Sequence, residues 1–339
     1  MFGGVMAAPR TIDHTPSSSV PHRRSGIGAA MTPPPGGGPA AAVPVRPSAP
    51  PLAEPTTRSC TRPLIGNGGL RRGGSPRLYV EAATRPGGTV FLHGLGGTAR
   101  YWQAAEGAGH LPADAVLVDL YGFGRSPRPF RPYTLDAHLS ALEPVVADHA
   151  PTVLAGHSLG AALALAYAAR RPAEVRGLVL IGLPSYGGPE GARRSFRPAP
   201  RGWFLTNMAL SAVACVVTRR LLGPFLPLIL RDVPPQVARD LVEHNAMSST
   251  TSLWNVLYRH DPADDLERLP ARIPVLFIHG ADDTTAPVEA VRRLAARRPG
   301  SRLLVLPGVD HHPWLRAPET CAAAIGDWTR LVVSAPHRR

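Results

Sequence analysis

One short stretch restricts this chain more than any other: residues 151–162, PTVLAGHSLGAA. Thr152, Val153, Leu154 and Ala155 form an apolar run of strand length. Gly156-His157-Ser158-Leu159-Gly160 follows at once, and the run from Ala161 to Ala169 is rich in Ala and Leu at helical spacing. A strand that turns straight into a helix through G-x-S-x-G forces its serine into a strained backbone conformation. The hydroxyl then stands clear of the strand end. Side chains two residues to either side would clash there, which accounts for both glycines. A plain strand-to-helix turn with an incidental serine is the bland alternative. It calls for no partners downstream, and partners are present.

The rest of the pattern supplies a sheet for that turn to sit in. Strands are expected at residues 78–80, 89–92, 115–118, 177–182, 273–278 and 302–306, all short and apolar. Between them lie helical patterns: one from Thr98, read as its N-cap, towards His110, and others over 134–149, 287–297 and 317–333. Strands spaced by helices predict an α/β chain with a mostly parallel sheet covered on both faces.

The alternation stops between Pro184 and Pro262. Trp203 to Val217 is apolar, Arg219-Arg220 interrupts it, and the next apolar piece, 221–230, contains Pro224 and Pro227. A membrane helix needs about 20 unbroken apolar residues, so neither piece qualifies and no transmembrane segment is expected. The simpler expectation is an inserted helical lid at 185–262 packed over the sheet; a patch that touches lipid is the second reading. The core would then comprise residues 77–184 and 263–335. Residues 1–76 are rich in Pro, Gly, Ala, Ser and Arg and are expected to be disordered, with a short tail at 336–339. Arg23-Arg24 suggests a twin-arginine export signal, but the GIGAAMTPPPGGG that follows has no apolar core. Met6 and Met31 leave a later start open.

The net charge of +13 invites a nucleic-acid reading. Every basic residue is arginine, however, and 39 Pro and 34 Gly accompany them, as a GC-rich coding sequence would produce. Nine arginines against Asp13 and Glu54 lie in residues 1–77, and the remainder are spread along the chain. No nucleic-acid partner is expected. Cys60, Cys215 and Cys321 are isolated, with no metal spacing or disulfide framework, which fits a reducing cytoplasm.

A serine nucleophile needs a base, and the base needs an acid to fix its tautomer and steady its charged form. Asp282 and Asp283 end one expected strand, and His311 and His312 follow the next. A parallel sheet brings these strand ends to one edge. Asp282 reads as a loop carboxylate, His312 as a side chain facing the lid, and His93 and Asp119 as groups that fix loops. Trp102, Trp203, Trp254 and Trp314 read as packing before they read as pocket wall.

Several motifs now resemble one family, the lid-bearing α/β-hydrolases, over about residues 77–335. GHSLG is similar to its nucleophile elbow, HGLGG to its oxyanion loop, and DLYGFGRS to its D-x-x-G-x-G-x-S. HGADDTTAP resembles the acid loop G-x-x-D-x-x-x-P, which puts the acid at Asp283. PGVDHHPWLRAPE resembles P-G-x-G-H-x-P-x-x-E-x-P-E, which puts the base at His311. Here Asp310 stands where the family has glycine, and Arg316 where it has an acid. Pro184 and Ser185 leave the family's alternative acid position without a carboxylate. The resemblance implies a serine hydrolase with Ser158, His311 and Asp283 as catalytic residues, and the backbone N–H groups of Leu95 and Leu159 as oxyanion hole. It implies an ester-like bond in a small, largely apolar substrate and no metal or organic cofactor. Lactone, thioester and carbon–carbon bond cleavage use the same triad and stay open, as does a non-catalytic ligand sensor. From another class, Gly94-Leu95-Gly96-Gly97-Thr98-Ala99 with Asp119 downstream matches a dinucleotide-binding pattern, the mark of an NAD(P)-binding oxidoreductase. That reading leaves the elbow, Asp283 and His311 without a purpose.

Overall fold

The computed structural model describes residues 75–82, 88–104, 109–196, 206–230 and 233–334. The expectations for residues 1–74 and 336–339 lie outside them, as do Cys60 and Trp203.

Seven strands of the described residues form one sheet. They are β1 (Tyr79–Ala82), β2 (Thr89–Leu92), β3 (Val116–Asp119), β4 (Thr152–His157), β5 (Val175–Ile181), β6 (Val275–Gly280) and β7 (Arg302–Leu306), in the order β1-β3-β2-β4-β5-β6-β7. Only β1 runs antiparallel, against β3. Every residue of β2, β3, β4 and β6 is buried, because helices cover both faces. Side-chain alternation sorts each strand between two cores. Val90, Leu92, Val116 and Val118 face one; Phe91 and Leu117 face the other.

The helices on the sheet are α1 (Arg100–Gln103), α2 (Leu135–His149), α3 (Leu159–Arg170), α9 (Val288–Ala296), α10 (Pro313–Arg316) and α11 (Pro318–Ser334). Thr134 caps α2 by accepting from the Ala137 N–H, as its sequence position predicts. Ala99 is the residue that flanks α1, but the Thr98 hydroxyl still serves the helix start: it accepts from the Arg100 N–H at 3.2 Å while donating to Asp240 Oδ2 at 2.6 Å. The hydroxyl that the sequence offers to the helix is thus shared with a buried carboxylate.

Between β5 and β6 the chain makes a helical insertion: α4 (Pro189–Phe196), α5 (Met208–Ile229), α6 (Pro235–Asp240), α7 (Ala246–Ser252, continued by a π-helical turn, Leu253–Tyr258) and α8 (Pro262–Arg268). The π turn and α8 pack on α3. One sequence expectation is overturned here. The two apolar pieces are one helix of 22 residues, long and apolar enough to cross a membrane, and 17% of its most apolar 18-residue window is buried. The prolines fail to break it because each falls at the start of a new helical segment. Pro224 is in the first turn of Gly223–Phe225 and Pro227 in that of Leu226–Ile229, where a backbone N–H is least needed. A π-helical turn at Thr218–Leu222 carries the two arginines.

Candidate active site

Ser158 follows β4 and precedes α3 with φ 52° and ψ −111°; among the described residues it is the non-glycine with positive φ. The glycines around it have specific reasons. A Cβ on Gly156 would lie 2.3 Å from the Gly160 carbonyl carbon and oxygen, and one on Gly160 would lie 2.2 Å from the Leu92 carbonyl oxygen. The flanks are therefore glycine because the elbow closes on itself and on the end of β2. The sequence argument, a clash with the serine itself, named the right residues through a different contact.

The loops after β6 and β7 meet Ser158 at the carboxyl edge of the sheet. His311 Nε2 lies 3.0 Å from Ser158 Oγ, and His311 Nδ1 lies 2.7 Å from Asp283 Oδ2. Asp283 Oδ1 accepts from the Thr285 and Ala286 N–H groups at 2.9 and 2.8 Å. Burial by itself would raise the Asp283 carboxyl. Hydrogen bonds from His279 and His311 outweigh it and hold the group below the usual carboxylate range. An acceptor carboxylate leaves Nδ1 of His311 as the donor and frees Nε2 to accept from the serine. Asp282, the rival acid, is exposed, whereas Asp283 is buried.

The two backbone groups expected as an oxyanion hole lie in these turns. Leu159 is the first residue of α3, so its N–H belongs to the four that have no partner within a helix. Leu95 sits in the HGLGG turn, closed by the Gly97 N–H donating to the Gly94 carbonyl at 3.0 Å. Gly94 packs so closely that a Cβ there would lie 2.7 Å from His157 Nδ1 and 3.4 Å from the Ser158 Cβ. His93 is fixed as a neutral ring: Nε2 accepts from the Leu120 N–H at 2.9 Å and Nδ1–H donates to the Gly94 carbonyl. Burial lowers its pKa.

A profile described as the alpha/beta hydrolase family matches residues 89–324. The chain belongs to that family. The alpha/beta hydrolase is 33% identical over 256 residues to the pimeloyl-[acyl-carrier protein] methyl ester esterase of Aromatoleum aromaticum, covering 71% of this chain and 97% of that protein. It is 26% identical over 254 residues to the protein named probable lysophospholipase BODYGUARD 1 of Arabidopsis thaliana, covering 66% of this chain and 54%, about half, of that longer protein. Among solved structures, a thermophilic esterase from Thermogutta terrifontis superimposes with a TM-score of 0.59 at 21% identity, over 75% of this chain and 93% of that one; the likeness concerns the fold. The alpha/beta hydrolase is an enzyme of the carboxylic ester hydrolase class.

The dinucleotide reading of the GLGGTA turn has no room in this hydrolase. Both carboxylate oxygens of Asp119 are taken by backbone: Oδ1 by the Ala99 N–H at 2.6 Å and Oδ2 by the Arg125 N–H at 2.8 Å. Asp119 ties the HGLGG loop to the GFGRS loop, the role read for it in the sequence. Trp102 and Trp314 pack edge to face, and the Trp314 indole N–H donates to the Trp102 carbonyl at 3.1 Å. His312 packs against the rings of Tyr101 and His157, and burial pushes it down to about 4.

Three contributions escaped the sequence. His157 stacks on Tyr101 and donates from Nε2 to the His311 carbonyl at 2.8 Å, holding the loop that carries His311. His279 Nε2 lies 2.6 Å from the Ala286 carbonyl and 3.3 Å from Asp283 Oδ2, steadying the acid loop. The two departures from the family pattern are one feature: Arg316 Nη2 lies 2.8 Å from Asp310 Oδ2, and Asp310 Oδ1 accepts from the His312 N–H at 2.9 Å. Two oddities six residues apart in sequence are complementary in charge, and that was the available signal.

Proposed function

We propose that the enzyme is a serine esterase that cleaves a carboxylic ester of a small, largely apolar acyl group through an acyl-enzyme. Ser158 Oγ attacks the carbonyl carbon while His311 Nε2 takes its proton. Asp283 keeps Nδ1–H of His311 in place and offsets the positive charge of the ring. The oxyanion forms between the N–H groups of Leu159 and Leu95; losing one such donor costs on the order of 3 kcal/mol of transition-state stabilisation. His311 then returns its proton to the departing alkoxide oxygen, and the alcohol leaves. Water attacks the acyl-enzyme with His311 again as base, the acid leaves, and Ser158 regains its proton.

The observation that carries this reading is the unbroken hydrogen-bond chain from Ser158 Oγ through His311 to Asp283, starting at a residue held at φ 52°. The esterase relative at 33% identity supports the ester as the bond. The helical insertion between β5 and β6 acts in this proposal as the lid and sets acyl selectivity. The same proposal keeps the enzyme in the cytoplasm, where Cys215 and Cys321 stay free thiols.

A series of p-nitrophenyl esters of increasing acyl length tests it, run on the wild type and on Ser158→Ala. The wild type turns over and the variant loses roughly four orders of magnitude or more in kcat. Equal rates in the two proteins would overturn the mechanism. If the wild type leaves the whole series untouched yet a fluorophosphonate labels Ser158, the bond is a lactone, thioester or carbon–carbon bond. If neither occurs, the fold serves as a ligand sensor.

A further inference from the structure

The helix α5 is anchored on one side and exposed on the other. Ser211, Gly223 and Leu226 are buried; Leu226 packs with Ala238 and Leu241, and Cys215 Sγ lies 3.1 Å from His244 Nε2. On the opposite side Val213, Val217, Leu221, Phe225 and Leu228 follow at spacings of three and four residues, a single stripe, each 43–69% exposed. Over about 15 residues that stripe runs roughly 22 Å. An exposed apolar strip of this kind needs an occupant.

Charge selects among the candidates. From Gly191 to Arg231 the sequence holds seven arginines and neither Asp nor Glu. Arg194, Arg219 and Arg220 are exposed beside or within the helical stretch. A second copy docked stripe to stripe would bring two such arginine sets together with no acid between them. The chain's own segment 1–77 carries nine arginines against two acids and would be repelled in the same way. An anionic lipid surface satisfies both halves of the feature, with acyl chains for the stripe and headgroups for the guanidiniums. Spanning the bilayer does not. Arg219 and Arg220 fall in the middle of α5, where spanning would place both charges at the bilayer centre, and the anchored face would have to leave α6 and α7.

We propose that α5 is an interfacial docking helix, lying in the plane of an anionic lipid surface with its Val213-to-Leu228 stripe immersed and Arg219-Arg220 at the headgroups. The anchor also sets the orientation. His244 pairs with Phe123 in an isolated bridge, and the Phe123 ring packs edge-on to His93 of the HGLGG loop. The docking helix is thus joined to the carboxyl edge of the sheet, where Ser158 stands.

Flotation of the full chain with phosphatidylcholine vesicles, alone or with roughly 30% phosphatidylglycerol, tests the proposal. The wild type floats with the anionic vesicles and not with the neutral ones, and salt raised from roughly 0.05 to 0.5 M weakens the association. The double variant Leu221→Asp/Phe225→Asp lowers partitioning more than tenfold; Arg219→Gln/Arg220→Gln lowers it roughly tenfold and flattens the salt dependence. Leu331→Asp, an exposed position on α11, leaves partitioning unchanged. Should the aspartate pair unfold the protein, as circular dichroism would show, Leu221→Ser/Phe225→Ser replaces it. In Phe225→Trp the indole emission shifts to the blue on anionic vesicles. The proposal fails if the wild type does not partition, or if the stripe variants partition like the wild type, which would assign binding to the arginine-rich segment 1–77. It also fails if light scattering shows a dimer that the stripe variants dissociate while no form binds vesicles, because a second copy would then be the occupant.

Discussion

The elbow at Ser158 and the helix α5 are built on opposite principles. At the elbow the glycine contacts are with backbone: Gly156 meets Gly160, Gly160 meets Leu92, and Asp119 and Asp283 spend carboxylate oxygens on amide N–H groups. Such a site has one geometry, because a carbonyl cannot step aside as a side chain can. Along α5 most side chains meet solvent, and one face holds the helix to α6 and α7, through contacts that include the Leu226 cluster and the Cys215–His244 pair. The comparison teaches where sequence can be read. Backbone-limited geometry dictates residue type, so it leaves a motif; a face held by composition alone leaves none.

The largest effect expected at the rigid end is on catalysis. Asp283→Asn preserves shape but removes the charge that opposes the imidazolium and allows the wrong tautomer of His311. It should lower kcat by about three to four orders of magnitude with KM little changed, measured on the best p-nitrophenyl ester. Asp283 keeps its charge well below pH 4 in the folded enzyme, so the acid limb of the wild-type rate profile belongs to another group. A variant retaining a tenth of the activity would make Asp283 a loop-holding residue and no more.

Next comes the backbone itself. In Gly160→Ala the new Cβ meets the Leu92 and His93 carbonyl oxygens at 2.2 and 2.7 Å. Both sit at the end of β2, so strand and helix must part. The expected loss is about 3 kcal/mol or more, read as a fall in the urea midpoint. Gly326→Ala in α11 meets only the tip of Arg330, at 3.5 Å, and should gain roughly 0.5 kcal/mol or more. Equal behaviour of the two would show that the elbow relaxes, which contradicts the first half of the comparison.

Acid should separate the two regions in time. Burial lowers His138 to about 3 and His244 and His312 to about 4, from the ordinary 6.5. Below pH 6.5 the unfolded chain therefore takes up protons that the folded protein refuses. Stability from each histidine is complete above 6.5, declines as pH falls, and levels off only below the folded value. Between pH 7 and 5 each accounts for a loss of about 1–2 kcal/mol. His244 holds α5, and His138 joins α2 to α7 by a contact of 2.9 Å with Ser252. Amide protection at pH 5, taken relative to the intrinsic exchange rate at that pH, should therefore fall in α5 and α7 before β4.

How much of this was legible follows the same division. The strand positions and the elbow were readable, because a buried strand is a run of apolar residues and G-x-S-x-G follows one directly. Asp283 over Asp282 and His311 over His312 rested on the resemblance of their loops to the family's motifs; those two side chains form the hydrogen-bond chain with Ser158. Thr98 was legible in its helix contact but not in its second one, because Asp240 lies 142 residues away and no local pattern announces it. His157 was passed over because its bond is to a carbonyl, which has no residue identity. The continuity of α5 is not legible because prolines inside an apolar run read as breaks, whereas a change of helical pitch places Pro224 and Pro227 each at the start of a segment.

The smallest expected effect bears most directly on α5. In a soluble core, Leu→Ser removes buried area and costs a few kcal/mol. Leu221 is 65% exposed and Leu228 is 69% exposed, so neither supplies that energy to the fold. Leu221→Ser and Leu228→Ser should leave the melting free energy within about 0.5 kcal/mol of wild type. A larger loss would mean that these side chains are covered in solution, by a second copy or by another part of the chain, and α5 would then resemble the elbow in having a fixed neighbour. A change near zero leaves Leu221 and Leu228 facing outward without a role in stability. What the stripe meets then becomes its remaining account, and the arginines beside it match a surface of opposite charge.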